Sequence, residues 1–139
     1  MTKSMRISLR AGEKIYLNGA VLKADRKVTL ELMNDATFLL EGHVLQVEDT
    51  TTPLRQLYFV VQTMLMDPKD AAAARALFFR QLAALFTAFS NPTMLANLDV
   101  VGHLVTEERA FDALRALRGM FTLEEAILGR AGTLPPKAA

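Results

Sequence analysis

From Met5 to Leu17 apolar and polar positions alternate: Ile7 and Leu9 fall on one side of a period-two strand, with Arg6, Ser8 and Arg10 on the other. Ile15 and Leu17 then oppose Lys14, Tyr16 and Asn18. Between the two segments Ala11-Gly12 offers a turn at little steric cost, so the pattern predicts a hairpin with a cationic face. Val28-Thr29-Leu30-Glu31-Leu32 alternates in the same way, with Val28, Leu30 and Leu32 inward. Asn18-Gly19 carries a type I′ hairpin signal, and Asp25-Arg26-Lys27, Asn34-Asp35 and Glu41-Gly42 supply further turns. Phe38 to Leu40 and Val44 to Val47 are more continuously apolar, as expected of strands covered by a helix or a second subunit. The expectation for residues 1–50 is an antiparallel β-meander of about six short strands.

After Asp49-Thr50-Thr51-Thr52-Pro53 the period becomes helical, with hydroxyls at the N-cap and proline in the first turn. Asp67-Pro68 and Asn91-Pro92 repeat the device. A helix over Leu54 to Met66 puts Leu54, Leu57, Tyr58, Val61, Met64 and Leu65 on one stripe, and Phe59 and Val60 make it apolar almost all round. Residues 69–90 predict an alanine-rich helix facing inward through Leu77, Phe78, Leu82, Leu85, Phe86 and Phe89. A segment from Thr93 to about Arg118, broken near Gly102 or Thr106, buries Leu98, Val101, Val105, Phe111, Leu114 and Leu117. Gly119 closes it, and Thr122-Leu123-Glu124-Glu125 matches a capping box for a short last helix. The result is an α+β chain: a β-rich subdomain over residues 1–50, a helical subdomain of three to four helices over 51–130, and a flexible tail over 131–139.

At 139 residues and 51% hydrophobic, the chain can bury a core, and its composition is not that of a disordered protein. The absence of cysteine rules out disulfides, a thiolate nucleophile and a thiolate metal site, and fits a reducing cytoplasm. No signal-peptide pattern or bilayer-length apolar run occurs, so a cytoplasmic protein with no membrane partner is expected. The net charge of +1 conceals an asymmetry: residues 1–36 hold seven Lys/Arg against four Asp/Glu, and residues 37–66 one against three. Such a local positive field can orient a specific anionic ligand.

Catalysis finds little support. His43 and His103 are the only histidines, each in a setting that suits packing, and Glu107-Glu108 reads as the first turn of a helix. No triad spacing, phosphate loop, dinucleotide fingerprint or histidine-based metal pattern occurs, so no catalytic residue, metal or cofactor is expected. The basic strand is the stronger candidate. Solvated cations are common on sheet faces, but Arg6, Ser8 and Arg10 repeat at strand spacing, roughly 6–7 Å, and so can follow a nucleic-acid backbone or base edges. Flat β-platforms suit single-stranded RNA, with Lys14, Lys23, Arg26 and Lys27 adding capture and Tyr16 offering a ring to stack. A second candidate surface is apolar: the methionines and phenylalanines of the helical half can line a groove for a protein helix, with Phe59, Phe78 and Phe79 as contacts.

Three blocks carry a resemblance: Met5-Arg6-Ile7-Ser8-Leu9-Arg10-Ala11-Gly12-Glu13-Lys14-Ile15, Thr52-Pro53-Leu54-Arg55-Gln56-Leu57-Tyr58-Phe59 and Met64-Leu65-Met66-Asp67-Pro68. In this order they resemble the FlbT family, flagellin-synthesis regulators of alphaproteobacterial flagellar systems. The resemblance implies a cytoplasmic regulator acting after transcription, associated with the 5′ untranslated region of flagellin messenger RNA and altering its stability or translation. It implies repression in the best-known setting, activation elsewhere, and a functional link with FlaF and with flagellin. More distantly, Ile7-x-Leu9-x-x-Gly12-Glu13-x-Ile15 is similar to the opening of CsrA, a dimeric five-stranded RNA binder, which implies an RNA-contacting strand bearing Arg6, Ser8 and Arg10. The chain departs from CsrA at Phe38-Leu39-Leu40-Glu41-Gly42, where an acid stands in place of a second basic determinant. A homodimer is one expectation from this likeness; extra helices replacing the second subunit are the other. The alternative to RNA binding is an adaptor or chaperone-like partner of flagellin or FlaF that affects messenger RNA indirectly.

Overall fold

A computed structural model describes residues 5–17, 20–34, 36 and 38–130. The chain forms two compact units, Met1–Val44 and Leu45–Ala139. The first contains β1 (Met5–Leu9), β2 (Lys14–Leu17), β3 (Ala20–Lys23), β4 (Val28–Leu32) and β5 (Phe38–Leu40). The second contains α1 (Pro53–Met66), α2 (Ala71–Ala88), α3 (Pro92–Thr106), α4 (Ala110–Arg118) and α5 (Phe121–Arg130). This is the α+β architecture expected from the two hydrophobic periods.

In the first unit β1 pairs antiparallel with β4, Met5 opposite Leu32 and Leu9 opposite Val28. β2 pairs antiparallel with β3, Lys14 opposite Lys23 and Leu17 opposite Ala20. The register runs unbroken from one ladder to the other, because five steps along each strand from Leu9 and Val28 lead to Lys14 and Lys23. Pairing continues through the bend, where the Gly12 N–H donates to the Ala24 carbonyl at 2.7 Å and the Ala24 N–H to the Glu13 carbonyl at 2.9 Å. The two ladders are therefore halves of one bent ribbon. Gly12, at φ +83°, bends the chain where a side chain would be strained.

That arrangement corrects two expectations. Ala11-Gly12 does not reverse the chain, and β1 does not pair with β2. Reversal falls between Leu17 and Ala20, cross-strand partners on either side of Asn18-Gly19; that turn itself lies outside the described residues. The order is not a meander either, since β4 returns to β1, while β5 joins the free edge of β2 with Phe38 opposite Leu17.

Val44 to Val47 does not form the expected strand. The Leu45 N–H donates to the buried Gln62 carbonyl at 2.8 Å, and the Gln62 amide donates back to the Leu45 carbonyl at 2.9 Å. With both backbone groups occupied by one side chain, Leu45 has nothing left for a ladder.

α1 and α3 start at the expected caps, whereas Asp67-Pro68 opens a 3-10 turn and α2 begins only at Ala71, without a side-chain cap. The Thr52 hydroxyl accepts from the Arg55 N–H at 3.2 Å, the Asn91 amide oxygen accepts from the Met94 N–H at 3.0 Å, and a proline follows each cap. Their core gathers Leu54, Leu57, Tyr58 and Val61 of α1, Phe78 and Leu82 of α2, Met94, Leu98, Val101 and Val105 of α3, and Leu114 and Leu117 of α4. α2 and α3 approach so closely that a Cβ on Gly102 would stand 2.9 Å from the Leu82 side chain. The long segment after Asn91 divides beyond Thr106, where Glu108 takes φ 61°. Glu107 and Glu108 thus form the turn that ends α3, not the first turn of a helix. The expected tail over 131–139 lies outside the described residues.

The capping box expected at Thr122-Leu123-Glu124-Glu125 does not open the last helix. α5 begins at Phe121, and the Glu124 carboxylate, completely buried, accepts the Leu54 N–H at 2.8 Å, capping the start of α1 from seventy residues away. Its Oε1 lies 4.0 Å from the Arg55 guanidinium, which also bonds Glu125 at 2.9 Å and stacks over the Phe121 ring at 4.5 Å. Burial pushes the Glu124 carboxyl above its ordinary value, against the Thr52 hydroxyl, the Leu54 N–H and the Arg55 charge.

Two outcomes follow for stability. Glu124→Ala strands the Leu54 N–H and should cost about 1–3 kcal/mol in a urea titration. Because the folded state holds the Glu124 proton more firmly than the unfolded chain does, this residue's contribution falls as pH rises from the ordinary carboxylate range through its raised folded value. Glu124→Gln should remove that slope and compare more favourably with the parent at about pH 7 than at about pH 5. Equal differences at both pH values would show that Glu124 titrates normally.

Candidate nucleic-acid interface

The β1–β4 ladder sorts its side chains by parity. Ile7 and Leu9 are buried at 5% and 3% exposure, while Arg6 and Ser8 point to the opposite, solvent-exposed face beside Thr29 and Glu31 of β4. Arg6 stands opposite Glu31 in the register, and no ion pair to Arg6 forms among the described residues. Arg10 and Lys27 leave the same end of this ladder, since each adjoins the paired residues Leu9 and Val28. Both are exposed.

Arg10 lies 3.9 Å from the Glu13 carboxylate but keeps 88% of its side chain in solvent. The facing Glu13 oxygen already accepts the Arg10 backbone N–H at 2.9 Å. Arg26 is similarly open, 4.0 Å from Asp25. Exposed pairs this loose contribute little and exchange readily for another anion. Lys14, half-buried, stands directly opposite exposed Lys23, so two like charges face each other across β2 and β3. Their repulsion is the kind that a bound anion relieves. All seven residues expected to contact RNA thus lie on one ribbon: Arg6 and Ser8 on one ladder face, Arg10, Arg26 and Lys27 around the bend, Lys14 and Lys23 on the second ladder.

Tyr16 is half-buried between Val21 and Leu39 in the register, the environment of a strand-pairing ring. Glu41 belongs to the site, although its sequence read as a turn. Its carboxylate accepts the Lys14 backbone N–H at 2.9 Å, and with Arg10, Gly12 and Glu13 it lines a cleft of about 450 Å³ at the bend. The acid that departs from the CsrA pattern is therefore occupied in part by backbone.

His103 is exposed and 3.6 Å from Asp99 on its own helix, and His43 is half-buried in a 3-10 turn. Among the described residues no three His, Cys, Asp or Glu side chains stand close enough to hold a metal ion. Burial pushes the Tyr58 phenol up, while the Arg118 guanidinium, donating to its oxygen at 3.0 Å, pulls it down. Among the described residues no helix is long and apolar enough to cross a membrane.

The expected partner surface needs correction at one position. Phe78 is completely buried, its ring edge-on to Phe79 with centroids 4.9 Å apart, so it has no surface to offer. Phe79 is the exposed member of the pair, because neighbours on a helix point about 100° apart. Phe59 is half-buried and lines a groove of about 330 Å³ with Val47, Val60 and Leu77.

Comparison with known proteins agrees with the extent of the fold. The family described as "Flagellar protein FlbT" matches residues 5–128. A Rhizobium etli protein named "Probable flagellum biosynthesis repressor protein FlbT" is 52% identical over 98% of this chain and 91% of its own length. Relatives of the same name from Brucella anthropi and Agrobacterium fabrum are 51% and 47% identical, over 98% and 97% of this chain and 90% and 91% of theirs. No solved structure matches the chain.

The opposed lysines make the electrostatics of the ribbon measurable. Lys23→Glu places an acid opposite Lys14 and should stabilise the unliganded protein by roughly 0.2–1 kcal/mol, read as a higher urea midpoint at unchanged slope. A midpoint that stays or falls would mean that the two ammonium groups do not repel.

Proposed function

From the premise that this chain belongs to the FlbT family of flagellar proteins and regulates flagellum synthesis, we propose that it acts after transcription, by binding the 5′ untranslated region of flagellin messenger RNA. The observation that carries this reading is the outer face of the β1–β4 ladder, where Arg6 and Ser8 stand in solvent with Arg10 and Lys27 at its end, opposite a buried apolar face. Guanidinium groups at strand spacing can bond successive phosphates or base edges, and a hydroxyl between them adds a neutral hydrogen bond.

On this reading Arg6 and Arg10 contact phosphates or bases, Ser8 adds its hydroxyl, and Lys14, Lys23, Arg26 and Lys27 supply long-range capture. Single-stranded leader RNA is the suitable ligand, because its unstacked bases and backbone can lie along a ribbon that would not enter the deep groove of an RNA duplex. Occupying the leader lowers flagellin output, in keeping with the relatives' name of repressor. Such a partner belongs in the cytoplasm, and the protein's part in the process is binding, without turnover of a substrate.

The test is an anisotropy titration of labelled flagellin leader RNA with the parent chain and with Arg6→Ala/Arg10→Ala. The double variant should bind about tenfold or more weakly, with a salt dependence shallower by roughly one to two units, and should keep the parent circular dichroism spectrum. Unchanged affinity and unchanged salt dependence would remove this face from RNA recognition.

A further inference from the structure

α2 is apolar on two sides, and its neighbours in the helical unit cover one. Ala74, Phe78, Leu82 and Leu85 are buried. A second row, Ala72, Ala76, Phe79, Ala83 and Phe86, recurs at alternating steps of four and three residues and is exposed along its whole length, Phe79 at 36% and Phe86 at 39%. A solvent-facing row on a bundle helix is ordinarily polar. A row with this 3.5-residue period is instead the seam by which one helix accepts another: the alanines permit close approach and the aromatic rings act as knobs.

The charges beside the seam indicate what it accepts. Arg75 flanks one side and Arg80 the other, and no Asp or Glu occurs between Asp70 and Asp99. Arg75 is held in place: its guanidinium donates to the Val105 carbonyl at 2.8 Å and to the Thr106 carbonyl at 3.2 Å, and lies 5.6 Å from the Phe79 ring centroid. Arg80 is exposed and has no ion-pair partner among the described residues. Two copies of α2 laid on one another would oppose arginine to arginine with no acid to offset them.

We propose that the exposed Ala72–Ala76–Phe79–Ala83–Phe86 seam of α2 docks one amphipathic α-helix of a protein partner, whose own apolar row is flanked by Asp and Glu. The site lies wholly within the helical unit, so it stands or falls separately from RNA recognition by the ribbon.

A fluorescein-labelled synthetic peptide with leucine and alanine at the seam positions and glutamate at the flanks is titrated against the full chain, beside a control carrying lysine at the flanks. The glutamate peptide should bind at least about tenfold more tightly than the lysine peptide. Phe79→Asp/Phe86→Asp should abolish binding of the glutamate peptide, and Arg80→Glu, at an exposed site that leaves the core untouched, should weaken it about tenfold while improving binding of the lysine peptide. If the aspartate variant unfolds by circular dichroism, Arg80→Glu alone decides. Failure of the glutamate peptide to bind, equal binding of both peptides, or indifference to Arg80→Glu would overturn the proposal. A dimer seen by sedimentation velocity and dissolved by the aspartate pair would also overturn it, since a second copy would then be the occupant.

Discussion

The antiparallel register of β1 against β4 decides which way each side chain of the opening ribbon points. Side chains alternate with a period of two, so a slip of one residue would carry Ile7 and Leu9 into water and Arg6 and Ser8 into the interior. Exposing either aliphatic residue forfeits about 1.5–3 kcal/mol, and burying an unpaired guanidinium costs several more. The hydrophobic pattern therefore locks the register, and the register in turn holds the arginines outward. Continuity of pairing through the Gly12 bend extends the same control to β2 and sets Lys14 opposite Lys23. A cationic surface here is the geometric complement of a buried aliphatic one.

In the helical unit, a few long polar side chains bind backbone groups of segments distant in sequence. Gln62 satisfies both backbone groups of Leu45, Glu124 caps the start of α1, and Arg75 closes the carbonyls at the end of α3. For a buried group such as the Leu54 N–H, losing such a partner costs about 1–3 kcal/mol. The core takes one face of α2, and its second apolar row stays at the surface.

What was legible in the sequence was whatever short-range periodicity and local capping control. Alternation in Met5–Leu9 and Val28–Leu32 located two strands and their inner faces, and Thr52-Pro53 and Asn91-Pro92 located two helix starts. The misreadings arose where a distant group outbid a local motif. Ala11-Gly12 has turn chemistry, but β1 finds its partner beyond the reversal between Leu17 and Ala20. Val44 to Val47 has strand composition, but Gln62, in the following helix, takes its hydrogen bonds. Thr122-Leu123-Glu124-Glu125 has the spacing of a capping box, but α5 already begins at Phe121, and the acid of the box, Glu125, bonds Arg55 of α1 instead. Among the candidate contacts, strand parity was enough to put Arg6 and Ser8 outside, whereas helix phase had to separate exposed Phe79 from buried Phe78.

The outward ribbon can be observed directly by recording backbone amide spectra of the isotopically labelled chain while flagellin leader RNA is added. Resonances of Arg6 to Arg10 and of Lys27 to Glu31 should move together and saturate, with those of α1 to α5 little changed. Shifts confined to the helices, or none at saturating RNA, would contradict recognition through β1 and β4.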